Sequence, residues 1–364
     1  MMSKILLFIG TYTQPLPHVT TAHAEGIYSY AFDPATGKID YLSVTHGIDN
    51  PTYTAVDGSG QHLYAVTEKE GGETNTCCAF NIDQTTGELK LINEQPTLGQ
   101  ASCYVTVEAS GKYALVANYT SGKTWAMLPI RADGGVDAVS DSAEHPSNSV
   151  NKARQDRSHG HCALPDPNNT YVFISDLGID QLVRYKLDVA NGKLIPAADG
   201  NVKLEPGSGP RHFVFHPSAK FAYMVSELTA TVTALSYDAA SGTMQTLQTI
   251  STLPEGFDGQ KWAAAIRITA DGRFVYASNR GHDSIAMYAV DQQNGQLTAL
   301  GQQSTGGKIP RDFNIDPTGQ WLLAANQETD TVVTFKINHT TGVLEETGFV
   351  AEVATPVCLT FLEV

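Results

Sequence analysis

Apolar and polar residues alternate in short runs along this chain, and the three-to-four spacing of an amphipathic helix is nearly absent. A period of two predicts strands. The stretch from Tyr53 to Glu68 shows the unit: an alternating run, the turn Asp57-Gly-Ser-Gly60, and a second run with aromatics. The same shape returns at Tyr104 to Asn118, Cys162 to Asp176, His212 to Glu227, Ala265 to Asn279 and Phe313 to Asn326, with starts 51, 58, 50, 53 and 48 residues apart. Between these hairpins lies a turn of the form D-x-x-x-G-x-L, at Asp33–Ile39, Asp83–Leu89, Asp188–Leu194, Asp238–Met244, Asp291–Leu297 and Asn338–Leu344. Only the unit after Asn118 departs, with Arg131-Ala-Asp-Gly-Gly in its place. Two hairpins per fifty or so residues predict a four-stranded antiparallel sheet repeated at the spacing of a β-propeller.

Six inner hairpins are complete, and a seventh is split between the chain ends. Ile5 to Thr11 reads as a second strand without its first, and Pro356 to Leu362 as a first strand without its second. Pairing them closes a ring and removes two sheet edges that would otherwise invite association. The expectation is an all-β, seven-bladed propeller forming a single domain over residues 1–364, with an inserted surface loop at about 137–156. The 364 residues would otherwise suggest two domains, and the repeat replaces that reading with one ring.

Charge and cysteine content narrow the partners. Lysine plus arginine number 23 against 38 acidic residues, a net charge of −15. Such a balance argues against nucleic acid and anionic membrane surfaces, which call for a basic face, but leaves room for a small anion held by a local cluster. The five cysteines include no C-x-x-C pair and leave an odd one over, so a disulfide framework is not expected. The apolar run Ile5–Ile9 is too short for a signal-peptide core, and no stretch is long enough to span a bilayer. A cytoplasmic protein is predicted, a monomer or at most a weak homo-oligomer.

Hairpin geometry sorts the polar residues. The residue that begins the first strand and the residue that leaves the second lie at the same end, so in a ring of inner hairpins these positions share one mouth. The strand starts read Asn50-Pro51, His159-Gly-His161, Gly209-Pro-Arg211-His212, Trp262 and Pro310-Arg311. The strand exits read Thr11-Tyr12, Glu68, Asn118-Tyr119, Asp176, Ser226-Glu227, Asn279-Arg280-Gly-His282 and Asn326-Gln327. The opposite ends carry ordinary turns such as Asp316-Pro-Thr-Gly319. One mouth therefore concentrates His, Arg, Glu, Asn, Tyr and Trp, the composition of a small-molecule site.

Each candidate has a structural alternative. His159 and His161, two apart, could share a strand face as a base or ligand pair, or could be a hydrogen-bonding loop pair. Arg211 and Arg280 could bind an anion or brace neighbouring blades. Glu227 could be a tuned base or half of a structural ion pair. Asp176 reads better as a turn residue than as a catalyst. Ser121-Gly-Lys-Thr124 lacks the upstream glycine of a P-loop, and neither a G-x-S-x-G elbow nor an H-E-x-x-H pair occurs. The sequence calls for no cofactor and no metal.

With those residues in place, Phe8-Ile-Gly-Thr-Tyr-Thr13, Val116-Ala-Asn-Tyr119, His159-Gly-His161, Ser175-Asp-Leu-Gly-Ile-Asp-Gln181, Gly207-Ser-Gly-Pro-Arg-His212, Ser226-Glu-Leu228, Ser278-Asn-Arg-Gly-His-Asp-Ser284, Pro310-Arg-Asp-Phe-Asn314 and Ala325-Asn-Gln327 together resemble the seven-bladed lactonase family. That family includes bacterial propeller-type 6-phosphogluconolactonases and fungal carboxymuconate lactonising enzymes. The resemblance runs end to end. Two departures are Ser158-His-Gly-His161 where Pro-His-Ala-His is usual, and Ala265 where an acidic residue is frequent. The resemblance implies a lactone hydrolase of the pentose phosphate pathway, taking 6-phosphogluconolactone to 6-phosphogluconate. The alternatives are an unphosphorylated sugar lactone, a carboxymuconate-type cycloisomerase, or a non-catalytic interaction platform. On this reading His161 or Glu227 activates water and Arg211 stabilises the oxyanion. The expected substrate contacts are His159, Arg280, His282, Arg311, Asn326 and Tyr12, with Arg280 and Arg311 gripping the anionic tail of a small anionic lactone.

Overall fold

The computed structural model describes residues 4–72 and 74–364. Seven antiparallel sheets account for its strands, each running outward in chain order from an innermost strand except where the chain ends meet. The closure blade pairs Pro356–Glu363 with Ile5–Thr11, then Ile27–Asp33 and Lys38–Thr45. The second to seventh blades begin with Pro51–Val56, Ser102–Val107, Gly160–Pro165, Pro210–Phe215, Ala263–Ile268 and Pro310–Ile315. The expected pairing of the chain's two ends runs from Ile5 opposite Glu363 to Thr11 opposite Pro356. Ile5 to Thr11 is buried along its whole length, so this seam is as dry as the blade interiors.

The repeated turn glycine has a packing reason. In each of several blades an aromatic residue opening the second strand packs on the D-x-x-x-G turn of the next blade. At Gly342 the backbone has φ +76°, and a Cβ there would lie 2.2 Å from the Phe274 ring. At Gly37 a Cβ would lie 2.7 Å from Trp321, whose indole N–H donates to the Pro34 carbonyl at 2.9 Å. The motif therefore locks blade to blade, because only glycine offers both the left-handed conformation and the flat surface. Tyr223 and Tyr276 add hydrogen bonds of 3.0 and 2.9 Å to the Gly295 and Gly342 carbonyls of the following blade.

The stretch expected as an inserted surface loop, about 137–156, is largely exposed, with only His145 and Gln155 buried, and it also carries a short strand. Asp141–Ala143 supplies the outer strand of the third blade, paired with Trp125–Met127. The chain then turns back over the mouth, where His145 is buried against Asp176 and Tyr185 at 2.7 and 2.8 Å.

Candidate active site

Two positions per blade build the mouth. The first is a β-bulge near the start of the innermost strand: register shifts fall between Pro51 and Tyr53, Ser102 and Tyr104, Gly160 and Cys162, Pro210 and His212, Ala263 and Ile266, and Pro310 and Asp312. A bulge leaves a residue outside the ladder and breaks the in-out alternation, which re-aims its side chain. The residues so placed are Thr52, Cys103, His161, Arg211, Ala264 with Ala265, and Arg311. The second position is the residue just past the second strand: Tyr12, Glu68, Tyr119, Leu177, Glu227, Arg280 and Gln327.

These two sets converge on a cavity of about 640 Å³ lined by Cys103, Tyr119, His161, Glu227, Arg280, Arg311, Glu68 and Gln327, with Arg154, Trp262, His18, Glu70 and Glu328 nearer the rim. Its size suits a metabolite-sized ligand. Arg211 lies beneath it, in a small throat shared with Thr52, Glu68, Cys103 and Arg311.

One wall is basic. Glu227, 2% exposed, has its Oε1 2.5 Å from an Arg154 N–H donor and its Oε2 2.7 Å from Arg280 and 3.2 Å from the Arg211 Nε. Three guanidiniums thus meet one carboxylate. Burial alone would raise the Glu227 pKa, but Arg280, Arg154 and Arg211 together hold it well below the ordinary carboxylate range. The Arg211 Nε is within ion-pair reach of Glu227 but outside hydrogen-bond alignment, so its N–H, like the Nε–H of Arg280, has no acceptor among the described residues. Burial and the neighbouring guanidiniums bring Arg211 down to about 10, and it stays charged at neutral pH.

The facing wall is rich in acceptors. Glu68, at the same blade position as Glu227, accepts from the Tyr12 hydroxyl at 2.9 Å and from Thr52 at 2.8 Å, with Arg311 no nearer than 3.9 Å. Burial raises its pKa, while His18, Arg311 and Thr52 overcome that and bring it to about 2. Glu70, Glu328 and Gln327 continue this side of the cavity.

His161 stands at the floor. Its Nδ1 lies 3.6 Å from the Cys103 thiol, and its ring meets Tyr119 and His212 edge to face at 5.3 Å from each. Burial, then the charge of Arg211, lowers its pKa well below 6.5, so the imidazole is neutral at physiological pH.

Several expected contacts lie elsewhere. The two histidines of His159-Gly-His161 do not share a face, because the bulge between Gly160 and Cys162 separates them. His159 stacks behind Tyr119 at 4.6 Å, with its ring nitrogens on the Tyr119 carbonyl and Asp156, and takes no part in lining the cavity. His282 bonds Ser284 at 2.8 Å and packs on Phe257, also outside the cavity. Asn326 gives its amide N–H groups to the Thr305 carbonyl and Thr331, tying a turn; its Oδ1 has no partner among the described residues, and the residue does not line the cavity. Tyr12 is fully buried behind Glu68 and under Arg311, positioning both. Asp176 collects His145, Ser158 and the His159 amide, each at 2.7 Å, as a turn hub.

Arg154 was not among the expected site residues. It reaches the cavity from the loop that pattern alone assigned to the surface, bonding Glu227 and the Tyr119 hydroxyl. The available signal was its basic neighbourhood, Lys152 to Arg157, in an otherwise acidic chain. Cys103 was hidden by its apolar character, and Gln327, read at the mouth beside Asn326, was passed over for that neighbour. Among the described residues, no cluster of three His, Cys, Asp or Glu side chains could hold a metal ion, and no helix is long and apolar enough to cross a membrane.

Comparison with known proteins bears on the family and the fold. The family profile "Lactonase, 7-bladed beta-propeller" matches residues 6–361. The 6-phosphogluconolactonase of Bacillus subtilis is 38% identical over 361 residues, 99% of each chain. The 6-phosphogluconolactonase of Formosa agariphila is 33% identical over 93% of this chain and 94% of its own. Among solved structures, the periplasmic gluconolactonase of Pseudomonas aeruginosa superposes with a TM-score of 0.92 at 33% identity, covering 100% of both chains.

Proposed function

The chain belongs to the seven-bladed β-propeller lactonase family, and from that premise we propose that it is a lactone hydrolase whose substrate is 6-phosphogluconolactone. The observation that carries the phosphorylated substrate is the basic wall, where three guanidiniums meet the single carboxylate of Glu227. Its surplus positive charge suits a phosphate dianion, which guanidinium forks bind through paired donors. In a chain of net charge −15, such a surplus has to be built locally.

The roles follow from position. The phosphate sits toward the rim on Arg280 and Arg154, and the lactone carbonyl lies at the floor between His161 and Arg211. His161 takes a proton from the attacking water as the new C–O bond forms. Arg211 stabilises the tetrahedral oxyanion from below. Collapse of that intermediate breaks the ring C–O bond, and the proton on His161 passes to the departing ring oxygen, giving the open-chain acid. Glu227, locked by three arginines, is too weakly basic for this task and instead orients the cations. A sugar lactone is an activated ester, so one neutral imidazole and a fixed cation suffice without a nucleophilic triad.

We read residues 1–364 as one catalytic domain acting on this small anionic lactone, without need of nucleic acid or membrane, as a monomer or weak homo-oligomer. A cytoplasmic location is supported by five cysteines of which none is paired. The test is direct. Purified protein should accelerate 6-phosphogluconolactone hydrolysis above the spontaneous rate, and His161→Ala should remove most of that gain. Equal rates for wild type, variant and buffer would refute the assignment.

A further inference from the structure

The cavity is bipolar, and the half that does not hold phosphate has a composition of its own. Blades seven and two bring Gln327 and Glu68 to equivalent positions on the cavity wall, with Tyr12 of the blade between them buried behind Glu68 and with Glu70 and Glu328 also lining this side. Against these carboxylates stands Arg311, 3.9 Å from Glu68. This wall presents acceptors where the opposite wall presents donors.

Gln327 is the telling residue. It is 3% exposed, it lines the cavity, and its Oε1 has no hydrogen-bond partner among the described residues. The amide cannot simply be turned over, since its Nε2 donates to the Glu328 carboxylate at 3.0 Å and a flip would set oxygen against oxygen. A buried carbonyl oxygen without a donor is costly, so it marks a place where a ligand donor belongs.

We propose that this wall reads the ring hydroxyls of the substrate, with Gln327 Oε1 and Glu68 accepting from them. The inference rests on the lactonase reading above. It sets the specificity of the site: a polyhydroxylated lactone with an anion at one end only fits both walls. A molecule with carboxylates at both ends, such as a carboxymuconate, would press one of them against Glu68, Glu70 and Glu328, and would leave Gln327 unpaired. Sites built to bond a hydroxyl discriminate strongly against ligands that lack it, because their own buried groups are then orphaned.

Binding to the intact protein tests this without turnover. The probes are glucose 6-phosphate, which has ring hydroxyls and one anionic end, inorganic phosphate and cis,cis-muconate, titrated by calorimetry into wild type and Gln327→Met, a change that keeps side-chain length and removes both polar atoms. The expected result is a loss of about tenfold or more in glucose 6-phosphate affinity, unchanged phosphate affinity, and muconate binding to wild type about a hundredfold weaker than glucose 6-phosphate. Should Gln327→Met fail to fold, the wild-type ranking of glucose 6-phosphate over muconate still decides. Equal affinity of wild type for those two ligands, or Gln327→Met binding glucose 6-phosphate as wild type does, overturns the inference and leaves the lactonase reading standing. Wild type that binds neither phosphate nor glucose 6-phosphate overturns both.

Discussion

Glu227 and Glu68 occupy the same position in their blades, each one residue past the second strand, each almost fully buried, and both hold their protons weakly. Their surroundings differ. Glu227 is held by three guanidiniums, whereas Glu68 accepts from the hydroxyls of Tyr12 and Thr52 and has His18 and Arg311 only at 3.5 and 3.9 Å. A single structural position thus yields a basic wall in one half of the ring and an acceptor-rich wall in the other. The backbone supplies the placement, and the residues at neighbouring bulges, Arg211 on one side and Thr52 on the other, supply the chemistry.

The largest expected effect breaks the basic wall. Glu227→Gln strips three buried or half-buried cations of their counter-charge, and thermal or urea unfolding should register a loss of about 3–5 kcal/mol with activity abolished. Glu68→Gln should cost less, about 1–2 kcal/mol, since the amide oxygen can still accept from one of the two hydroxyls while the other turns to accept from the amide N–H. Equal losses for the two variants would mean that the walls are not electrostatically distinct.

Next in size is the floor. His161→Gln should lower kcat about a hundredfold or more with little change in KM, as removal of a general base does. Its pH profile carries a sign. Burial and Arg211 keep His161 unprotonated below the ordinary 6.5, so kcat/KM should stay flat as pH falls through 6.5 and decline only at lower pH. A decline centred at 6.5 would place the base elsewhere. Stability should respond differently: unfolded His161 and His212 take up protons below about 6.5 while the folded ones resist, so unfolding free energy should drop from that pH downward. Glu68 and Glu227, also held low in the fold, should add to the loss below about 4.5.

The smallest effect concerns the scaffold that both walls share. Gly342→Ala combines a left-handed backbone with a contact on Phe274, and should cost about 1–3 kcal/mol while leaving KM near its wild-type value.

The ring, its closure and the functional mouth were legible because strand alternation and turn residues are local signals that repeat. The division of labour at the mouth was not. Alternation places His159 and His161 on one face, and the bulge at Gly160 sends only His161 to the cavity. Asn326 and His282 sit at the right end of their blades but lie outside the cavity, held back by turn hydrogen bonds, a distinction that depends on partners distant in space or hidden in loop geometry. Arg154 belongs to a segment without periodicity, whose path is set by tertiary contacts such as His145 with Asp176. The turn glycines were readable as turns, while their role as a seat for the neighbouring aromatic needs the ring assembled.

The central claim is that the basic wall exists to hold a phosphate. The most direct test is the ratio of kcat/KM for 6-phosphogluconolactone over gluconolactone in wild type and in Arg154→Ala, whose half-buried rim position makes misfolding a lesser concern. Wild type should favour the phosphorylated lactone about a hundredfold, and Arg154→Ala should shrink that ratio about tenfold by lowering only the phosphorylated rate. A wild-type ratio near one, or a variant that loses both activities equally, would contradict the account.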